Sequence, residues 1–283
     1  MTAVPVSIEV TAKHALETEN LGVLFPQGTR VYLADLGTHS VDDLVTAAAR
    51  LRDAGYQPVP HIAARRMAGV DDVDTRLGRF MAEAGVAEFL MVAGSPESQV
   101  GPLPSSLAVL ETGLLQKHSV KKIVVAGHPE GSPDFPDSEL MPALKAKQAF
   151  GKENGVEVAV ATQFSFDVPG IIRWETELVK NGIDMLVHIG VAGPAKLTTL
   201  IRYATLCGVG QSVDFLKKRG GALATMVTGF SPDEVVTPLE EHIQSGSGSL
   251  ITQIHVFPFG GLKKSSEWLT ERGSWFQSSS AAA

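Results

Sequence analysis

Phe89-Leu-Met-Val-Ala93, Ser105–Lys117 and Lys122-Ile-Val-Val-Ala126 together form the stretch whose reading decides the fold. Both short runs are continuously apolar after at most one charged residue. A strand with one wet face alternates apolar and polar side chains, whereas an unbroken apolar run is buried on both faces. Parallel strands covered by crossover helices have that property. The segment between the two runs carries helical spacing, so 89–126 reads strand, helix, parallel strand.

The same unit recurs along the chain. Further strands are predicted at Val6–Val10, Val31–Ala34, Pro58–Ile62, Val158–Thr162, Met185–Ile189 and Leu250–Val256. Val41–Ala54 sets Val41, Leu44, Val45, Ala48 and Leu51 on one helical stripe, with Ser40 as N-cap and Gly55 as stop. Asp74–Ala84, Ser138–Asn154, Val168–Asn181, Ala195–Cys207 and Leu262–Thr270 behave alike. The seventh unit is longer, with helical material at Gln211–Arg219 and Pro232–Ser245. Eight strand–helix units without a composition break predict a single-domain (βα)8 barrel, an α/β fold, over residues 1–277 of the 283. A doubly wound open sheet is the alternative. It needs a glycine fingerprint after the first strand, and Glu9-Val-Thr-Ala-Lys13 has none. Residues 278–283 (SSSAAA) read as a disordered tail.

Bulk composition narrows the function classes. Lys and Arg number 24 against 31 Asp and Glu, a net charge of −7, and no basic run exceeds a pair. That balance argues against nucleic acid or an anionic membrane as partner. No apolar run is long enough to span a bilayer, and the N-terminus lacks a signal-peptide pattern, so the expected location is cytoplasmic. The single cysteine, Cys207, allows no internal disulfide and no cysteine-rich metal site, and its apolar neighbours suit a buried thiol. No metal is expected.

Barrel chemistry sits at the carboxyl ends of the strands. There the chain places Glu9, Asp35, His61, Gly94-Ser95, His128-Pro129-Glu130, Gln163, Gly190 and His255. Polar groups converging in a protein interior need partners or a ligand. Composition and position alone therefore indicate an enzyme or a small-molecule binder, without naming a reaction.

Four segments, in order, resemble signatures of the methylenetetrahydrofolate reductase family. Ser7-Ile-Glu-Val10 is similar to its S-F-E-F strand, Val59-Pro-His-Ile62 to A-P-H-L, His128-Pro-Glu-Gly-Ser-Pro133 to Y-P-E-x-H-P, and Thr162-Gln-Phe-Ser-Phe-Asp167 to T-Q-F-F-F-D. The last is the most specific, and the similarity runs from about residue 5 to 270. The resemblance implies interconversion of 5,10-methylenetetrahydrofolate and 5-methyltetrahydrofolate, with hydride passing between NAD(P)H and the folate through bound FAD. Glu9 is implied as the general acid; opening the substrate's imidazolidine ring requires a proton on nitrogen, hence a carboxyl group with a raised pKa. Gln163, whose amide donates and accepts, is implied for the pterin edge, with Phe166, Ser95 and Asp35 nearby. His61, Gly94, His128, Ser132, Gln148 and Lys152 are implied for FAD, Lys152 at its phosphates.

Each residue also has a plainer reading. Glu9 can be a structural carboxylate, and Gln163 a tie in the barrel rim. Phe164 and Phe166 can be core aromatics, Asp167 a helix N-cap, His61 and His255 packed histidines, and Lys152 part of a solvated helix face. Arg65-Arg66 can serve an anion or form a solvated loop pair.

The sequence also departs from the family. Ala93-Gly94-Ser95 stands where R-G-D is usual, which leaves Glu97 or Asp35 as the substitute carboxylate. Ser132 replaces a histidine, Lys145 and Gln148 replace Asp and Asn, and Phe257-Pro-Phe-Gly-Gly261 lacks an arginine. Two consequences compete: FAD held by a different contact set, or hydride transferred directly from NAD(P)H. A pterin-dependent methyltransferase barrel and a non-catalytic folate binder remain as further classes. The family's barrels often associate, so a homo-oligomer is compatible.

Overall fold

The computed structural model describes residues 4–95, 97, 99–210, 212, 214, 216, 230–246 and 248–274. Eight strands close into a barrel in sequential order: β1 Val6–Thr11, β2 Arg30–Ala34, β3 Gln57–Ala63, β4 Glu88–Val92, β5 Lys122–Gly127, β6 Glu157–Phe164, β7 Val187–Ala192 and β8 Ile251–Phe257. This is the predicted (βα)8 architecture. The proposed tail and most of the Gln211–Arg219 helix lie outside the described residues.

Helices follow the strands as α1 Ala12–Glu17, α2 Val41–Asp53, α3 Val70–Ala84, α4 Ser106–Leu110, α5 Leu114–Lys117, α6 Asp137–Asn154, α7 Val168–Lys180, α8 Leu197–Leu206, α9 Asp233–Ser245 and α10 Leu262–Glu271. Among the described residues no helix is long and apolar enough to cross a membrane.

Local chemistry explains most boundaries. The Ser40 hydroxyl accepts from the Asp43 amide at 3.1 Å while the Asp43 carboxylate accepts from the Ser40 amide at 3.1 Å, a reciprocal cap at the start of α2. Thr11 and His14 make a similar box. That box closes α1, a helix the sequence reading missed because six residues carry little periodicity. The predicted Ser105–Lys117 helix is instead α4 and α5, separated where Gly113 turns left-handed at φ +76°. Strand β7 begins two residues later than expected, with Leu186 left exposed.

The chain packs as two compact units. One comprises Glu9–Ala126 and Met141–Val160. Its strands run parallel in register, with Tyr32 beside Val59, His61 beside Leu90 and Phe89 beside Ile123. Tyr32, Leu33, Val59, Ile62, Phe89 and Met91 are fully buried, as runs apolar on both faces require. The other unit is Met1–Ile8, Gly127–Leu140 and Ala161–Ala283. In it β8 is flanked by β1, with Ser7 beside His255, and by β7, with Gly190 beside His255.

Candidate active site

In the first unit, the carboxyl ends of β1 and β3 bring two predicted residues together. Glu9 Oε2 lies 3.5 Å from His61 Nε2, with the side chains 21% and 14% exposed. That Nε2 is buried and has no hydrogen-bond partner. Between these strands β2 ends in the small residue Ala34. The preceding residue of β3, Pro60, fixes extended backbone into His61.

Asp35, by contrast, is engaged structurally. Its Oδ1 accepts from the Gly37 amide at 2.9 Å and its Oδ2 faces Arg76 Nη1 at 3.2 Å, while Arg76 Nε reaches Asp72 at 2.9 Å. The Asp35 side chain is only 5% exposed. Its use as a substitute carboxylate would break that network. The other candidate, Glu97, is exposed.

Gly94 holds φ +81°, a conformation suited to glycine, and its carbonyl accepts from Arg65 Nη1 at 2.8 Å. Arg65 Nε donates to the Pro104 carbonyl at 2.9 Å. Arg65 is therefore neither a solvated loop residue nor an open anion site. It is 6% exposed and braces the loop after β4. Ser95 sits exposed at that loop. Arg66 lies against Gly37, so tightly that a Cβ there would collide with its guanidinium.

Two lysines of α6 differ in burial. Lys152 is exposed, whereas Lys147 lies on the buried stripe with Leu144 and Gly151. Burial pulls the Lys147 ammonium down to about 8. Periodicity held the signal, since Leu144, Lys147 and Gly151 share a helical face. Gln148, one residue on, is half-buried.

In the second unit, β6 delivers Gln163 at its carboxyl end. The Gln163 side-chain oxygen Oε1 accepts from the Phe164 amide at 3.1 Å, which fixes one end of the side chain. Strand β7 approaches β6 closely here: the Gly190 amide donates to the Thr162 hydroxyl at 2.9 Å. A Cβ on Gly190 would stand 2.5 Å from the Thr162 carbonyl oxygen and 2.6 Å from that of Gln163. Phe164 and Phe166 are buried core aromatics. Phe164 meets Phe259 at 4.8 Å and Phe166 meets Phe230 at 4.9 Å, both edge to face. Phe166 is therefore not an open stacking platform. Asp167 occupies the N-cap position of α7 as predicted, but makes no cap bond; it faces Arg173 at 3.4 Å.

Ser212, not singled out by sequence, ties two of the motifs together. Its amide donates to Glu130 Oε2 at 2.9 Å, its hydroxyl to Glu130 Oε1, and its oxygen accepts from the Phe166 amide at 2.9 Å. His128 and Ser132 are half-buried in the loop after β5, and Ser132 Oγ accepts from the Asp134 amide at 3.2 Å. A cleft of about 670 Å³ opens there, lined among the described residues by Glu130, Ser132, Asp137 and Asp214.

His255 is 1% exposed and bonds Ser7 Oγ through Nδ1 at 2.9 Å, its ring edge-on to Phe257. Gln253 Nε2 donates to the same hydroxyl at 2.7 Å. His255 is thus an internal tie. Cys207 is only half-buried, against expectation, because it lies one residue beyond α8 at its exposed end.

No protein-family model matches the chain. Solved structures do. Dihydropteroate synthase from Thermus thermophilus in complex with 6HMPPP aligns at TM-score 0.50 and 12% identity, over 97% of this chain and 94% of that one. Another structure of the Thermus thermophilus enzyme gives TM-score 0.48 and 13% identity over the same shares. D-psicose 3-epimerase in the presence of D-fructose gives 0.44 and 10%, over 93% and 90%. At such identities the likeness is one of fold, a barrel of this class.

Proposed function

We propose that the protein is an oxidoreductase that interconverts 5,10-methylenetetrahydrofolate and 5-methyltetrahydrofolate, with Glu9 as general acid. The observation that carries this reading is the approach of Glu9 to His61 at the carboxyl ends of β1 and β3, the two motif residues for which the sequence resemblance implies acid and cofactor roles. In barrels of this type reacting groups come from the ends of different strands. In the reductive direction the substrate's C–N bond breaks, its nitrogen takes the Glu9 proton, and the carbon takes a hydride that originates on NAD(P)H.

The chain's own residues supply binding and proton handling. Gln163, with one amide end pinned on Phe164, presents its remaining hydrogen-bonding capacity in a fixed direction, as an orienting group for a pterin needs. Gly94 allows close backbone approach, with the exposed residue Ser95 beside it. Phe166, packed edge-on to Phe164 and Phe230, braces the chain after β6 rather than touching the substrate.

FAD, when bound, would relay hydride between the nicotinamide and the folate. Fit to that group is supported by Lys147, a buried amine with the charge a diphosphate requires, with half-buried Gln148 beside it and with His61 and Gly94 at the strand ends. Lys152, the lysine that the resemblance implies at the phosphates, lies exposed on the same helix. A second reading, direct hydride transfer without flavin, is favoured by the sequence itself: Ser132, Lys145 and Gln148 stand where the resembled family has His, Asp and Asn at its FAD contacts.

One experiment separates these readings. NADH deuterated at the transferring position is supplied with methylenetetrahydrofolate, with and without FAD, and the methyl product is weighed by mass spectrometry. Deuterium in the methyl group supports the reductase, and a requirement for added or co-purified FAD supports the flavin route. Methyl exchange without deuterium transfer sinks it in favour of a methyltransferase. Glu9→Gln is expected to retain folate binding and lose turnover; full activity in that variant would refute the acid assignment.

A further inference from the structure

We infer that His61 is a positioning residue for Glu9, a hydrogen-bond donor held in reserve for the carboxylate that remains once the proton has left. This rests on the proposed role of Glu9, although the pairing itself does not.

Three observations lead there. The imidazole Nε2 is buried and lacks a hydrogen-bond partner, a state that proteins seldom leave uncompensated. The Glu9 carboxyl oxygen lies 3.5 Å from it. That separation is just beyond the usual hydrogen-bond length. Contacts of this kind in ligand-free sites tighten when substrate expels water.

Tyr32, buried on β2, has its phenol pushed up, by burial first, with Arg30 opposing and Glu88 and Glu9 adding, so it stays protonated. Asp35 and Arg76 are bound to one another, and the Arg65 guanidinium is bound to the Gly94 and Pro104 carbonyls.

During turnover the Glu9 O–H bond breaks as the substrate nitrogen takes the proton, and the hydride from the reduced nicotinamide forms the new C–H bond. Negative charge appears on Glu9 at that moment. The His61 Nε2–H then closes on it, a donor aimed at charge that develops only in the transition state. His61 itself neither gains nor loses a proton.

Two measurements test this. Ring nitrogen–proton correlation spectra on protein labelled with 15N-histidine, in wild type and Glu9→Gln, read the pairing without any assay. The proton is expected on Nε2 of His61, with its signal shifted when the Glu9 charge is removed; an identical His61 ring spectrum in both proteins overturns the pairing. For the role, His61→Leu is expected to lower kcat roughly 100-fold, the scale of losing one such donor, with KM for folate changed by less than about threefold. His61→Gln, whose Nε2 can replace the ring donor, is expected to recover most of that loss. Unchanged kcat in His61→Leu, a defect confined to KM or to FAD affinity, or no recovery in His61→Gln overturns it. If no reductase activity exists in the wild type, the proposed reaction fails by itself while the ring spectra still decide the pairing.

Discussion

Ser212 gives both its amide and its hydroxyl to the two oxygens of Glu130, and its own oxygen accepts from the Phe166 amide. A serine that is fully buried thereby joins the loop after β5 to the loop after β6. Hydrogen bonds to a charged group contribute more than neutral ones, and a buried acceptor left unpaired costs about 1–3 kcal/mol. Ser212→Ala should therefore lose stability on that scale, measured by urea unfolding. It should also raise KM for folate more than it lowers kcat, because the chain that follows Gln163 loses its brace. A KM unchanged in the face of lost stability would confine Ser212 to folding.

Gly190→Ala tests the close approach of β7 to β6. The added methyl would meet the Thr162 and Gln163 carbonyl oxygens at 2.5 and 2.6 Å, both of them backbone atoms with little room to yield. Overpacking in a filled interior typically costs about 1–3 kcal/mol. The substitution is expected to lower the urea midpoint by a corresponding amount, while Gly155→Ala, with open space around it but φ +62°, reports backbone strain alone.

Glu175, on α7, should set part of the acid limit of stability. Burial raises its carboxyl, but hydrogen bonds from Ser249 at 2.6 Å, His242 at 2.6 Å and the Ile251 and Leu250 amides outweigh it, and the net shift is downward. A carboxyl lowered by folding stabilises above its unfolded value, about 4.3, and that contribution is lost as pH falls through the folded value. Glu175→Gln should be less stable at pH 7 by about 1–3 kcal/mol, as expected for a buried group with several partners. Its unfolding free energy should also fall less steeply between pH 5 and pH 3 (about the carboxylate range), by chemical denaturation at each pH. Parallel curves for the two proteins would contradict this.

Lys147 carries the opposite sign. Its folded value, about 8 through burial, lies below the unfolded value of about 10.4. Folding then disfavours the charged amine, so stability should rise as pH climbs from about 8 to about 10.4 and stay depressed below that window. Lys147→Met should be more stable than wild type at pH 7 by on the order of 3 kcal/mol, with the difference vanishing at high pH. If Lys147 meets the FAD phosphates, the same variant should bind FAD more weakly despite its greater stability, by fluorescence titration. A variant less stable at pH 7 would mean that the amine has a partner in the folded protein.

The eight strands were legible because burial on both faces leaves a mark on every residue of a run. Phe89–Ala93 and Lys122–Ala126 needed nothing else, and Ser40 announced its helix through a bond to a residue three places away. Glu9 and Gln163 were found by the motifs around them, and their positions at strand ends followed from the same periodicity.

What the sequence determined, then, was whatever depends on neighbours along the chain: strand and helix periods, caps, and the residues that end each strand. Tertiary structure alone decided which of those residues meet. Glu9 with His61, Arg65 with the Gly94 carbonyl, Ser212 with Glu130, and Lys147 rather than Lys152 turned inward are all set by strand order and helix rotation across long separations. The pairings among them depend on three-dimensional distance, which no local pattern of residue types encodes, whereas the inward turn of Lys147 is one that helical period alone could have shown.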